Sequence, residues 1–142
     1  MIKYWIGVVS LSHVLRGVQG GFAQLGHGKE APLRRMSMGD WLVYYSPKTD
    51  MDDGEPLQQF TAIGQIVGDS VYEHRMRPDF VPFRRDLKYL KCKPAAIAPL
   101  ISDLSFIKYP KRRGFPFRRG HFAMSEQDFR LIARAMAARV NE

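Results

Sequence analysis

Only one cysteine, Cys92, occurs in the chain. An internal disulfide is excluded, as is any metal site built from several thiolates, and this usage fits a reducing compartment. Long apolar runs are missing as well. YWIGVVSL (residues 4–11) is the stretch most like a signal core, but it leads into SHVLR and not into a small-residue cleavage site. Nothing later approaches the roughly 18 apolar residues of a spanning helix, so the expectation is a cytoplasmic protein without a membrane partner. Acidic residues are the third scarcity. Fourteen Asp and Glu face 22 Lys and Arg, which leaves a net charge of +8 and favours a polyanionic partner such as nucleic acid, although a basic enzyme would share the property.

Enzyme and cofactor signatures are also lacking. His13, His27, His74 and His121 are scattered without the helical spacing of a two-histidine metal site. Cys92 sits in strand-like sequence with no marked activating base, and Ser10, Ser12 and His13 occur without a nucleophile elbow, Ser12 reading instead as a helix cap. TDMDDGEP fails as a calcium loop, because Gly54 takes a ligand position and Thr61 stands where a bidentate Glu belongs. GGFAQLGHGK (residues 20–29) imitates a phosphate loop, yet Ala23 and Glu30 occupy the places of the required glycine and the Mg²⁺-binding hydroxyl. Gly26, Gly28 and Ala31 match dinucleotide spacing, but no strand runs into Gly26 and Pro32 follows at once. The residues imply no cofactor, no metal and no catalytic group.

The patterning that is present suits one domain over residues 1–142. KYWIGVV (3–9) reads as a buried strand and LSHVLRGV (11–18) as a short helix ended by Gly20 and Gly21. Pro32 to Met36 suggests a helical turn, WLVYYS (41–46) a strand stopped by Pro47, and FTAIGQIVGDSVY (60–72) a long strand bent or bulged at Gly64 and Gly68. A Pro-bearing loop (75–83), a strand (83–92) and a broken helix (95–104) follow. Ser125 and Asp128 form a capping box for a last helix that presents Phe129, Ile132, Ala133, Met136 and Val140 on one face. Strands outnumber helices and no long regular crossovers separate them. The expected class is therefore α+β, an open, partly closed β-barrel of about five to six strands with short helices at its ends and a C-terminal helix.

Two stretches offer binding chemistry. In KYPKRRGFPFRRGHF (108–122), Lys111, Arg112, Arg113, Arg118 and Arg119 interleave with aromatic residues and would supply phosphate contacts beside π-faces; a solvated basic hairpin has the same composition. Phe80, Phe83, Arg84 and Arg85 repeat the mixture on a smaller scale. Among the glycines of GGFAQLGHGK, Phe22 offers a flat apolar face and Gln24 a donor-acceptor amide, the pair needed to hold a flipped base, or else Phe22 plugs the barrel end.

YWIGVVSLSHV, GGFAQLGHGKEAPLRRM, GDWLVYYSPK and PLQQFTAIGQI, in this order and spacing, resemble the EVE-domain family of the PUA-like superfamily. The resemblance covers essentially the whole chain and is looser beyond Ser70. It implies a curved, barrel-like sheet akin to YTH domains, which hold a methylated adenine of RNA in an aromatic cage. It further implies a non-catalytic reader of modified bases, in DNA or RNA, associated with restriction or RNA-modification systems. By position, Ser10 and Phe22 correspond to pocket wall, Ala23 and Gln24 to the base edge, Lys29 to a phosphate contact at the rim, and Tyr45 and Ser46 to a strand end facing the pocket. Phe80 or Phe83 would form a second aromatic wall. Where a YTH cage uses tryptophan, this chain has Phe22. A PUA-like RNA-binding accessory and a nucleic-acid-processing enzyme are the alternatives.

Overall fold

A computed structural model describes residues 1–140. Its elements, in chain order, are β1 (Tyr4–Val8), α1 (Leu11–Gly20), β2 (Phe22–Ala23), α2 (Ala31–Arg35), β3 (Trp41–Lys48), β4 (Pro56–Ile66), β5 (Tyr72–Glu73), β6 (Phe83–Tyr89), β7 (Ala95–Ala96), β8 (His121–Met124) and α3 (Glu126–Ala135). Short 3-10 turns occupy Ala98–Leu100, Pro110–Arg112 and Phe115–Arg119. The sheet runs β2-β6-β4-β3-β1-β8, with β5 added beside β6 and β7 beside β4. The five to six strands expected are thus the six of this path, extended by two that are two residues long. β1 and β3 are parallel and the other pairs antiparallel, so the sheet is mixed, and it curls into a half-barrel.

The parallel pairing of β1 and β3 forces the intervening chain to cross over, and that crossover carries α1, β2 and α2. Both faces of the central strands are covered, which is why they read as continuous apolar runs and not as alternation. Trp41, Val43 and Tyr45 of β3 point into one cluster with Ile6, Phe60, Ile63, Phe117, Phe122 and the inner face of α3, Phe129 and Ile132. Leu42 and Tyr44 point the other way, into a second cluster with Trp5, Val14, Ala23, Leu25, Leu33 and Leu87 beneath α1 and α2. Gly7 of β1 faces this second cluster, where a Cβ would stand 2.6 Å from Leu25 Cδ2.

Several expectations shift. The long strand begins at Pro56 and ends at Ile66; its irregularities lie opposite Tyr44–Tyr45 and Ser46–Lys48, not at Gly64 and Gly68. Ala95 and Ala96 pair with β4 before a 3-10 turn, in place of a broken helix. Ser10, not Ser12, holds the N-cap position of α1, without a side-chain hydrogen bond to the helix, and the Ser12 hydroxyl donates to Asp50 Oδ1 at 3.2 Å. At α3, Ser125 Oγ accepts from the Asp128 N–H at 3.1 Å, as a capping box requires. The Asp128 carboxylate, however, accepts from the backbone N–H and hydroxyl of Ser105, tying the preceding loop to the helix. The helix ends before Val140 because Ala137 takes φ 53°, with Ala138 N–H bonded to Ala133 O and Ala137 N–H to Arg134 O, the two bonds of a Schellman termination.

Candidate functional site

At the end of the sheet where β1 runs into α1, four segments meet. Val8, Val9 and Ser10 leave β1, His13 follows on the first turn of α1, Gln24 to Gly28 form the glycine loop, and Pro47 to Met51 carry β3 into the acidic turn. They enclose a cavity of about 200 Å³. That is the space of six or seven waters at ~30 Å³ each, and it falls below the ~300–1,000 Å³ of drug-sized pockets. That volume is of the order of one flat ring system. A second cleft of about 470 Å³ shares Ser10, His13, His27, Asp50 and Met51 with it and continues past Arg16, Asp52, Met76, Arg77 and Phe80.

The loop geometry explains the glycines. Gly21 terminates α1 at φ 73°, its N–H bonded to Gly17 O. Gly28, at φ 86°, presses on Pro82, whose Cβ lies 2.4 Å from where a Cβ of residue 28 would sit. Between two such glycines His27 itself takes φ 61°, a conformation that costs a non-glycine residue about 1–2 kcal/mol and is often found at binding sites.

Polar groups converge on the cavity. Gln24 is 8% exposed; its Oε1 accepts from Arg84 Nε at 3.0 Å, and its Nε2 is buried with no hydrogen-bond partner. Asp50 Oδ1 accepts from Ser12 Oγ and from the Met51 N–H at 2.7 Å. The Ser10 hydroxyl lies 3.4 Å from that of Ser12. Burial first, and then the charges of Arg16 and His27, push His13 below the ordinary histidine range, so it is neutral at pH 7. Ser10, His13 and Asp50 bring hydroxyl, imidazole and carboxylate groups to the wall, so the set offers both donors and acceptors to the edge of a neutral heterocycle.

Of the residues expected at the site, Ser10 and Gln24 line the inner cavity and Phe80 the outer cleft. The others lie elsewhere. Phe22 does not face the cavity: the Arg84 guanidinium covers its ring, 3.7 Å from the centroid. Ala23 is fully buried in the core, and Phe83 packs on the edge of the same cluster. Tyr45 points to the opposite face of the sheet and stacks on Phe117 at 3.8 Å. Ser46 is fully buried, its hydroxyl 2.8 Å from Thr61 Oγ1. Arg84 and Arg85, grouped above with surface basic residues, are interior; Arg85 donates to Leu33 O, Met36 O and Gly68 O and so fastens the end of α2.

Lys29 is exposed at the foot of the glycine loop. Lys111, Arg112, Arg113, Arg118 and Arg119 lie on the two 3-10 turns after Tyr109. Arg113 donates to Gln58 Oε1, Arg118 lies 5.6 Å over Phe115, and Arg119 lies 4.2 Å over Phe122. The segment adjoins the cavity because Gly120 O accepts from the N–H of Val8, one of the lining residues. Sequence reasoning missed His13, His27, Asp50 and Met51 as wall residues; the signals were that His13 and His27 adjoin Ser10 and the glycine loop and that Asp50 and Met51 follow the strand end at Tyr45 and Ser46.

The EVE-domain family model matches residues 3–135. The chain belongs to the EVE-domain family. This EVE domain is 49% identical over 139 residues to the UPF0310 protein YdcG of Bacillus subtilis, covering 98% of the chain and 95% of the relative. It is 51% identical over 132 residues to a UPF0310 protein of Mycolicibacterium vanbaalenii, covering 93% and 91%. Among solved structures, Rpa0253 from Rhodopseudomonas palustris superposes with a TM-score of 0.55 at 17% identity over 96% of this chain and 94% of that one. A Leishmania major protein superposes with a TM-score of 0.58 at 12% identity over 94% of each. These likenesses establish the EVE/PUA-like fold, a fold often used to bind nucleic acid. Among the described residues no cluster of His, Cys, Asp and Glu could hold a metal ion, and no helix is long and apolar enough to cross a membrane.

Proposed function

We propose that this EVE domain is a non-catalytic nucleic-acid-binding module that takes a modified nucleobase, extruded from DNA or RNA, into the cavity beside Ser10 and Gln24. The observation that carries the reading is a cavity of about 200 Å³ at the end of the sheet, lined by Ser10, His13, Gln24 and His27, in a chain of net charge +8. Lys111, Arg112 and Arg118 supply the backbone contacts that favour a polyanion, and Phe80 in the outer cleft supplies a face for a neighbouring base.

Extrusion costs a few kcal/mol of unstacking, so edge hydrogen bonds, burial and phosphate contacts act together. Burial of one methyl contributes at most about 0.8 kcal/mol, about fourfold in affinity. Larger discrimination requires that the unmodified base leave a void or a poor fit. The test is fluorescence anisotropy with short DNA and RNA strands carrying single modified or plain bases. At least one modification is expected to bind more tightly than its plain counterpart, with Gln24→Leu reducing that affinity at a temperature where the variant is still folded, since the change also leaves Arg84 without its acceptor. Equal affinity across the panel, or none at all, refutes the reading.

A further inference from the structure

Between Asp103 and Glu126 the chain carries six Lys and Arg and no acidic residue. All six, Lys108, Lys111, Arg112, Arg113, Arg118 and Arg119, are exposed, and among the described residues no carboxylate stands within ion-pair distance of any of them. Charge of one sign without counter-charge repels itself, and a polyanion relieves that repulsion. The aromatic residues among these cations divide into two sorts. Phe117 is buried and stacks on Tyr45 at 3.8 Å, which anchors the second 3-10 turn to the core. Tyr109 and Phe115 are 67% and 60% exposed and belong to neither core cluster.

The turns hold these two rings outward. Pro110 and Pro116 stand at the starts of the two 3-10 segments and fix φ there. The Arg112 N–H closes the first turn on Tyr109 O at 2.8 Å, and Arg113 donates to Gln58 Oε1 of β4 at 2.9 Å. The segment is thus ordered in advance, so little conformational freedom is lost when a partner binds. A concavity of about 710 Å³ lies over Tyr109, Pro110, Lys111 and Arg112, and the Arg118 guanidinium stands beside the Phe115 ring. An aromatic ring gains most from another flat face. In a duplex the base faces are already stacked on one another, whereas unpaired bases present theirs; the occupant that matches both the rings and the cations is a single strand.

We propose that residues 108–119 form a platform for single-stranded nucleic acid, on which Tyr109 and Phe115 stack unpaired bases while Lys108, Lys111 and Arg112 contact phosphates. The inference rests on the nucleic-acid reading above and adds what the cavity does not state: the partner is unpaired where it crosses this segment, and the contact is indifferent to base modification. Val8 lines the cavity, pairs with Tyr45 and donates to Gly120 O, so platform and cavity share one end of the sheet.

The experiment measures binding of the intact chain, by fluorescence anisotropy, to a short unmodified DNA single strand, to the same backbone with abasic sites in place of its bases, and to the corresponding duplex. The wild-type chain is expected to bind the strand with bases about tenfold more tightly than the abasic one, the effect of a stacked base. Tyr109→Ala with Phe115→Ala brings that ratio toward one. It leaves abasic-strand and duplex affinities unchanged, as well as the slope of log affinity against log salt, because no cation is removed. Phe115→Trp, which keeps a π-face, retains the ratio. A wild-type ratio near one, or a ratio that survives the double substitution, overturns the platform. Vesicles containing phosphatidylserine test an anionic bilayer: rings that serve vesicle binding and not strand binding overturn the platform as well. Strands with modified bases decide the cavity separately. If a modification tightens binding while the ratio is one, the platform falls and the cavity reading stands; if the ratio holds and no modification matters, the cavity reading falls and the platform stands.

Discussion

His121 stacks on Trp5 with ring centroids 4.7 Å apart, is 7% exposed, and has both ring nitrogens buried without a partner. Burial, with a smaller contribution from the charge of Arg35, lowers its pKa from 6.5 to about 4. Between those values the unfolded chain binds a proton that the folded chain refuses, so stability falls as pH drops through this window and levels off below about 4. At about 1.4 kcal/mol for each tenfold difference in proton affinity, the gap corresponds to about 3 kcal/mol. His121→Phe keeps the stack on Trp5 and removes both the titration and the unpaired nitrogens. At pH 7 it should be neutral or stabilising by about 1 kcal/mol, since an unpaired buried polar group costs about 1–3 kcal/mol. Urea unfolding from pH 4 to pH 7 is the assay. The difference between the two chains isolates His121 from His13, whose lowered pKa acts in the same direction in both. An identical pH dependence in wild type and variant, or a variant much less stable at pH 7, would refute the reasoning.

Other outcomes follow from single contacts. Ala137→Gly relieves the positive φ at the end of α3 and should raise stability by about 1 kcal/mol, read as a higher urea midpoint. Gly28→Ala drives a Cβ into Pro82 at an unfavourable φ and should cost about 1–3 kcal/mol; oligonucleotide affinity should fall with it, because the glycine loop is a wall of the cavity. Lys111→Ala with Arg112→Ala should flatten the slope of log affinity against log salt by about 1.5 if both touch phosphates, and should leave the preference among bases unchanged. A base-dependent loss would contradict that role.

The short range of the interactions that decide local structure explains which parts of the chain were legible. Ser125 and Asp128 cap α3 across three residues, Gly21 ends α1 through a bond to Gly17, and β1 and residues 41–45 of β3 form apolar runs because both faces are covered. The end of α3 was misjudged because Ala137 carries no chemical mark of its left-handed conformation, which glycine or asparagine would have shown. Ser10 and Gln24, chosen for their place beside the strand end and the glycine loop, both line the cavity. Tyr45 lies on the face of the sheet away from the cavity, because one step along a strand reverses the face and the pattern YY does not say which tyrosine turns inward.

From sequence alone came the family, the α+β class, the positive charge and the pairing of Phe22 with Gln24 on one glycine-rich loop, since each depends on composition or on residues near one another in the chain. Only the tertiary structure decided what that pair touches. Arg84 lies 60 residues beyond Gln24 and reaches the loop because β6 pairs with β2, setting Asp86 and Arg85 against Phe22 and Ala23. The same register lays Arg84 across the Phe22 ring, where its Nε–H donates to the Gln24 amide oxygen. Which donor reaches a buried amide depends on how distant strands pair, and no local pattern carries that information.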